Sequence, residues 1–108
     1  MTLTASDVVL VPIPCRDKLA ERTRPAVILS GRTYNQQGDL VVAAVTSHAA
    51  RFPTDYRLLD WQQAGLQFPS TVRMLLTTVA LSRVVLRIGQ LSSRDWSEVQ
   101  ARLALVLS

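Results

Sequence analysis

The stretch Arg24–Ser30, with the sequence RPAVILS, decides the fold because it places a charged residue directly before a buried strand. Pro25 fixes its own φ and disfavours a helical conformation at Arg24, so the pair predicts the first residues of a strand. Ala26–Leu29 is a short apolar run rich in β-branched residues, and Gly31 ends it. A guanidinium held on such a rigid element suits an anion-binding or phosphoryl-transfer site. The alternative is a solvated charge at a strand edge.

Short apolar runs on both sides of this stretch predict further strands. Asp7–Pro12 is a strand that proline closes, and Leu40–Val45 is an apolar run followed by Thr46, Ser47 and His48. The polar residues 15–23 predict a loop between the first two strands. Further strand candidates are Tyr56–Leu59, Ser70–Arg73, Leu75–Val79 and Arg87–Leu91. Strands this close together favour an antiparallel sheet or barrel of about five strands over βαβ units.

The C-terminal residues 93–107 predict a helix that packs on the sheet. Ser92, with Asp95 three residues on, resembles a capping box. An apolar stripe at helical spacing is expected to pack across the barrel; its members are Trp96, Val99, Leu103 and Val106. A short helical turn is also expected over residues 60–65, with Asp60 as N-cap and Gly65 as C-cap.

Length and residue usage limit the class of protein. A chain of 108 residues predicts a single domain over residues 1–108, small enough for a partner subunit to add stability. One cysteine, Cys15, and one histidine, His48, exclude an internal disulfide and a zinc site made of Cys and His. No apolar run approaches the ~20 residues of a membrane-spanning helix. These features are compatible with the cytoplasm, and we expect no metal, no cofactor and no membrane partner.

The net charge of +4 comes almost wholly from arginine, and it is unevenly placed. Arginine enrichment suits bidentate phosphate contacts, although a genome rich in G and C would produce it as well. Residues 61–94 contain no acidic residue but four arginines, Arg73, Arg83, Arg87 and Arg94. This asymmetry predicts one basic face and an acidic partner, either nucleic acid or an acidic protein segment.

Taken in order, the motifs resemble those of the MazF/PemK toxins of bacterial type II toxin–antitoxin systems. The matching segments cover nearly the whole chain: residues 7–12, 24–30, 34–35, 41–47, 60–61, 64–66, 69–73 and 88–92. The resemblance implies an SH3-like antiparallel barrel of the MazF/PemK/CcdB type with a C-terminal helix. It also implies a homodimer that cuts single-stranded RNA at selected sequences without a metal, as an mRNA interferase. A cognate antitoxin would be its partner, and the two would bind DNA as a complex.

The resemblance also carries over site residues. Arg24 and Thr46 match the catalytic arginine and threonine of the family, and Arg73 matches a further arginine that some members use. We expect RNA-binding or auxiliary roles for Ser47, His48, Arg73, Arg16 and Lys18.

Four features depart from the family pattern. Leu75 stands where some members have an acidic residue, and a lysine that many members carry nearby is missing. Ser6 stands where glycine is usual. His48 replaces the usual glutamine; imidazole suits acid–base catalysis near neutral pH, and contact with a base or phosphate is the alternative.

The chemistry implied for Arg24 and Thr46 is transition-state stabilisation. In metal-free cleavage the ribose 2′-hydroxyl is the nucleophile, so the protein must stabilise charge on the phosphate oxygens and manage two protons. Arginine offers forked charged donors, and threonine one hydroxyl donor.

Two other functions stay open. One is a gyrase-poisoning protein of the same fold, although those relatives depend on an aromatic C-terminal tripeptide and this chain ends in Leu105–Ser108. The other is a catalytically silent barrel that only binds.

Overall fold

The computed structural model describes residues 2–14 and 20–108. These residues form an antiparallel sheet that curls into a half-barrel, with a C-terminal helix packed against it. The strands are β1 Asp7–Pro14, β2 Glu21–Ile28, β3 Asp39–Thr46, β4 Tyr56–Arg57, β5 Thr71–Ala80 and β6 Leu86–Gln90. The helices are α1 Arg32–Asn35 and α2 Ser93–Leu107, with a 3₁₀ turn at Leu81–Arg83. The six described strands are arranged in the order β4-β5-β3-β2-β1-β6, which confirms the predicted antiparallel architecture.

The central strands are apolar along their length because both faces of the sheet are covered. On β2, Val27 belongs to one buried cluster, whereas Ala26 and Ile28 belong to the other. β1 divides in the same way, with Val8 in the first cluster and Val9 in the second. Side chains alternate between the faces of a strand, so a strand buried on both sides reads as a continuous apolar run. The decisive stretch therefore lies at the centre of the core.

Several predicted boundaries are wrong. β2 begins at Glu21, so residues 21–23 are strand and not loop. Although these residues are polar, they pair with β1, and Glu21 lies opposite Pro14. Pairing with β3 begins only at Ala26, so Pro25 lies just beyond that ladder and breaks none of its bonds. The two strand candidates after Ser70 form the single strand β5, and α1 was not predicted at all. Residues 15–19, which include the predicted contacts Arg16 and Lys18, lie outside the described residues.

Two glycines bring the turn at residues 61–65 against β6. Gly65 has a φ of +85°, the left-handed conformation that the predicted C-cap requires. A Cβ on Gly65 would lie 2.0 Å from the Ile88 carbonyl oxygen, and one on Gly89 would lie 2.2 Å from the Ala64 carbonyl oxygen. Only glycine permits this approach of two backbones. Ser6 also has a positive φ, +76°, a conformation that favours glycine, the residue that the resemblance led us to expect there.

Asp95, at the start of α2, links the helix to the sheet. Its carboxylate is buried and accepts hydrogen bonds from the Tyr56 hydroxyl at 2.6 Å, the Leu59 N–H at 3.1 Å and the Asp60 N–H at 2.8 Å. The Asp95 N–H donates to Ser92 Oγ at 3.3 Å, so Ser92 is the N-cap as predicted. Burial, followed by the hydrogen bond to Asp95, raises the pKa of the Tyr56 hydroxyl.

Asp60 does not cap the turn that follows it, contrary to the prediction. Its carboxylate accepts two hydrogen bonds from Arg94, each 2.8 Å long, and one of 2.5 Å from Ser92 Oγ. These contacts, first with Arg94 and then with Ser92, lower the pKa of Asp60 to about 2. The side chain therefore binds the first turn of α2 instead of its own loop.

The apolar stripe of α2 packs on the sheet only in part. Val99 is fully buried, and Trp96 packs on the core as predicted. Leu103 is half-buried, whereas Val106 is 38% exposed and Leu107 is 72% exposed. The prediction that the whole stripe packs across the barrel is therefore wrong for the last turn, where Val106 is left exposed.

The Asp60–Arg94 pair makes the free energy of unfolding depend on pH in the acid range. The pKa of Asp60 is lower in the folded chain than its ordinary 3.8, so its stabilising contribution is present above about pH 4 and is lost as pH falls towards 2. We expect Arg94→Gln to raise that pKa and reduce the stability lost over this interval. Urea unfolding followed by tryptophan fluorescence at several pH values measures the difference. Arg83→Gln, which removes a pair with the exposed Glu21, is the control and should keep the parent's slope. An unchanged slope in Arg94→Gln would contradict this assignment.

Candidate active site

The predicted catalytic residues meet where β2 and β3 stop pairing. The ladder between these strands runs from Ile28 opposite Val42 to Ala26 opposite Ala44. The same register, continued by two residues, brings Arg24 to the position facing Thr46. A cleft of about 560 Å³ opens at this end of the ladder and is lined by Arg22, Thr23, Arg24, Val45, Thr46, Ser47 and His48. The structure therefore brings together four residues that the sequence singled out: Arg24, Thr46, Ser47 and His48.

Arg24 is held by its strand but keeps its charge available. Its backbone pairs with Val11 on β1, and its side chain is half-buried. Within residues 2–14 and 20–108, no carboxylate lies at salt-bridge distance from its guanidinium. A fixed backbone with a guanidinium facing a cleft is the arrangement that recognition of a phosphate group requires.

Thr46 ends β3, and its hydroxyl is oriented by the turn that follows. Thr46 Oγ1 accepts a hydrogen bond of 3.2 Å from the His48 N–H, as in a local Ser/Thr turn. This contact occupies a lone pair of the oxygen and leaves the hydroxyl hydrogen for donation. A hydroxyl that accepts one hydrogen bond is polarised towards donating another. Thr46 can therefore donate to an anion in the cleft.

Ser47 and His48 lie in the exposed turn after β3. Both line the cleft, and their expected auxiliary roles stay a prediction.

A second, apolar cavity shares a wall with the cleft. It has a volume of about 420 Å³ and meets the cleft at Val45, Thr46 and Ser47. The rest of its lining comprises Leu10, Pro25, Gly65, Leu66, Gln67, Phe68, Ser70 and Ile88. Phe68 is 63% exposed, which is unusual for a large aromatic side chain. Sequence reasoning missed Phe68 because it precedes the Pro69–Arg73 motif, and an aromatic residue beside proline was its only signal.

The structure does not place Arg73 in the cleft. Its guanidinium forms an ion pair of 3.5 Å with Asp55 and lies 5.6 Å from the centroid of the Phe52 ring. Asp55 is buried and also accepts hydrogen bonds from the N–H groups of Arg51 and Phe52. Arg73, which lies on β5, thus contacts the loop before β4 through Asp55 and Phe52. Neither cavity includes Arg73 in its lining.

The predicted basic face over residues 61–94 is wrong. Each of its four arginines has an acidic partner from a distant part of the chain: Arg73 pairs with Asp55, Arg83 with Glu21, Arg87 with Asp7 and Arg94 with Asp60. Local sequence shows an excess of positive charge, but folding brings these carboxylates onto it. Arg22 and Arg24 in the cleft form no ion pair with a carboxylate of the described residues, so they are available to bind an anionic ligand.

Comparison with solved structures identifies the fold as that of MazF toxins. MazF from Deinococcus radiodurans has 23% sequence identity to this chain and a TM-score of 0.78, and the match covers 99% of this chain and 97% of that one. The Mycobacterium tuberculosis toxin MazF-mt6 has 18% identity and a TM-score of 0.76, covering 94% and 95%. A mycobacterial endoribonuclease, solved in complex with its cognate antitoxin, has 16% identity and a TM-score of 0.77, covering 97% and 94%. The predicted fold class is confirmed.

Sequence comparison gives the same class. Residues 4–107 match the model of a family described as PemK-like, MazF-like toxin of type II toxin–antitoxin system. The chain therefore belongs to this family, as the resemblance implied. A comparison with curated protein sequences gives no match. Within the described ranges, no helix has the length and apolar character needed to cross a bilayer.

Proposed function

We propose that this chain is an endoribonuclease toxin that cuts single-stranded RNA at selected sequences without a metal ion. The observation that carries the proposal is the placement of Arg24 and Thr46 in one cleft, Arg24 held within β2 by its pairing with β1 and Thr46 at the end of β3. Membership of the toxin family supports it, as does the likeness to structures described as endoribonucleases.

The proposed reaction uses the RNA's own nucleophile. The ribose 2′-oxygen forms a bond to phosphorus, the bond from phosphorus to the 5′-oxygen breaks, and a 2′,3′-cyclic phosphate and a 5′-hydroxyl result. Arg24 binds a non-bridging phosphate oxygen through two N–H donors, and the Thr46 hydroxyl donates to the same phosphate. The 2′-hydroxyl loses one proton, and the leaving oxygen gains one. His48 or water exchanges these protons, because the Thr46 hydroxyl is a poor base.

The apolar cavity provides a place for a base beside the scissile phosphate. Thr46 and Ser47 form the wall that it shares with the cleft, so a nucleotide bound across this wall puts its phosphate near Arg24 and its base near Phe68. Aromatic stacking on a base contributes about 1–3 kcal/mol and suits single-stranded RNA. The polar side chain of Gln67, which is exposed in the same lining, is suited to select among bases.

The cleft predicts a large loss of activity from one substitution. We expect Arg24→Ala to lower cleavage on the order of 10²-fold or more, with a smaller loss of RNA affinity, because its contact strengthens as charge develops on the phosphate. Arg24→Lys should not restore full activity, since an ammonium group cannot make the forked contact. The assay is single-turnover cleavage of a long RNA in EDTA. Arg83→Ala, which breaks an ion pair outside the cleft, is the charge-matched control.

The same assay should include His48→Gln, because this variant tests whether the His48 side chain transfers a proton during cleavage. Glutamine is usual in the family at this position, so we expect most activity to survive. Loss of the ascending limb of the pH–rate profile in this variant would instead make His48 the general base. An Arg24→Ala chain that cuts RNA at the parent rate would contradict the catalytic proposal, and RNA left intact by the parent would favour a binding function such as gyrase poisoning.

A homodimer is proposed from exposed apolar side chains. The last turn of α2 exposes Leu105 and Leu107, and the edge strand β6 exposes Leu86 with Val85 beside it. Apolar groups left outside the core of a small domain are stabilised when a second subunit covers them. We expect light scattering at micromolar concentration to give twice the mass of the chain, and Leu107→Ser with Leu105→Ser to shift the equilibrium towards monomer. A monomer mass that does not change with concentration would contradict the dimer.

A cognate antitoxin is the proposed protein partner. The solved relatives include MazE–MazF complexes from Deinococcus radiodurans. We propose that an acidic, disordered antitoxin segment binds the cleft at Arg22 and Arg24 and excludes RNA from it. Its affinity should fall with added salt and fall further in Arg24→Ala, as isothermal calorimetry would measure. Binding that is independent of salt and leaves RNA bound would overturn this proposal.

A further inference from the structure

Two side chains outside the cleft hold the turn that completes it. Thr71 is fully buried at the start of β5, where it lies opposite Thr46 of β3 on one side and opposite Arg57 of β4 on the other. Thr71 Oγ1 donates a hydrogen bond of 2.7 Å to the His48 carbonyl oxygen. A buried hydroxyl from the neighbouring strand therefore fixes the far end of the Ser47–His48 turn.

Arg57 reinforces the same point from the edge strand. Its Nη1 lies 3.0 Å from the His48 carbonyl oxygen, 3.0 Å from Thr71 Oγ1 and 3.3 Å from the Ser47 carbonyl oxygen. Arg57 forms no ion pair with the carboxylates of the described residues, so its charge is directed at these carbonyl groups. Hydrogen bonds from a charged donor are stronger than those between neutral groups.

These contacts extend by one further hydrogen bond to the cleft. The His48 residue whose carbonyl oxygen accepts from Thr71 and Arg57 donates its own N–H to Thr46 Oγ1 at 3.2 Å. The orientation of the Thr46 hydroxyl thus depends on the position of the His48 backbone. Ser47 and His48 are both exposed, so packing against the core does not hold this turn.

We infer that Arg57 and Thr71 are positioning residues that lock the Ser47–His48 turn so that Thr46 donates its hydroxyl hydrogen towards the substrate phosphate. The inference rests on the proposed endoribonuclease function. It goes beyond that function because neither residue lines the cleft and both act through the backbone of His48. A misplacement of about 1 Å in a catalytic donor is enough to slow a reaction on the order of 10²-fold.

The test compares two substitutions of Thr71 that differ in the hydroxyl. Thr71→Val keeps the shape of the side chain and removes the donor, whereas Thr71→Ser keeps the donor. We expect kcat for RNA cleavage to fall on the order of tenfold or more in Thr71→Val with KM little changed, and Thr71→Ser to retain most of the parent's kcat. Arg57→Gln should reduce kcat in the same direction. Thr78→Val, an exposed position on the same strand, is the matched control and should leave kcat unchanged.

A second readout needs no RNA. His48 is the only histidine in the chain, so its imidazole gives a single C2–H resonance in proton NMR. We expect Thr71→Val to shift or broaden this resonance and to speed hydrogen exchange of the His48 N–H, while Thr71→Ser and Thr78→Val leave both as in the parent.

The outcomes separate the two proposals. If the parent cuts RNA and Thr71→Val keeps its full kcat, the positioning role is wrong and the endoribonuclease function stands. If the parent cuts no RNA, the proposed function is wrong and the catalytic role of the turn falls with it. An unchanged His48 resonance and exchange rate in Thr71→Val would overturn the structural part of the inference whichever result the cleavage assay gives.

Discussion

The structure depends on the buried carboxylate of Asp95. An ionised carboxylate removed from water costs several kcal/mol unless donors replace the lost solvent, and here three donors do so: the Tyr56 hydroxyl and the N–H groups of Leu59 and Asp60. Because the donors belong to β4 and the turn after it, the first turn of α2 fixes the edge of the sheet. β4 also carries Arg57, which holds the Ser47–His48 turn. The hydrogen-bonded Asp95 carboxylate thus connects the C-terminal helix, through β4, with the wall of the cleft.

The position of the cleft follows from where strand pairing ends. β2 and β3 are hydrogen-bonded only as far as Ala26 and Ala44, and the residues beyond this pair line an open space instead of a ladder. The backbone of Arg24 remains fixed by β1, and that of Thr46 by Thr71 on β5. Central strands therefore supply two functional groups with rigid supports, while the exposed turn adds His48. Under the proposed function, such rigid supports mean that the site needs little rearrangement to bind a phosphate.

Much of the fold was accessible from the sequence, because the signals that define it are local. The apolar runs of β1 and β3, the apolar stripe of α2 and the family motifs all occur within short segments. The start of β2 at Glu21 was not predicted, because the polar residues 21–23 indicated a loop. In the folded chain the same residues pair with β1. The charge prediction failed for a related reason: Arg87 pairs with Asp7 across 80 positions, and no local pattern records such a contact. The contacts of Arg57 and Thr71 with the His48 carbonyl oxygen were not predictable either, since they arise only where three strands meet.

The most direct test of the central claim is the chemistry at the cut. A short RNA that contains one cleavage site would be compared in EDTA with the same strand carrying a single 2′-deoxy nucleotide on the 5′ side of that site, and the ends would be identified by mass spectrometry. Attack by the 2′-hydroxyl predicts a 2′,3′-cyclic phosphate and a 5′-hydroxyl from the RNA, and no cut in the deoxy-substituted strand. Cleavage of the substituted strand at the parent rate, or a 5′-phosphate on the product, would contradict the account.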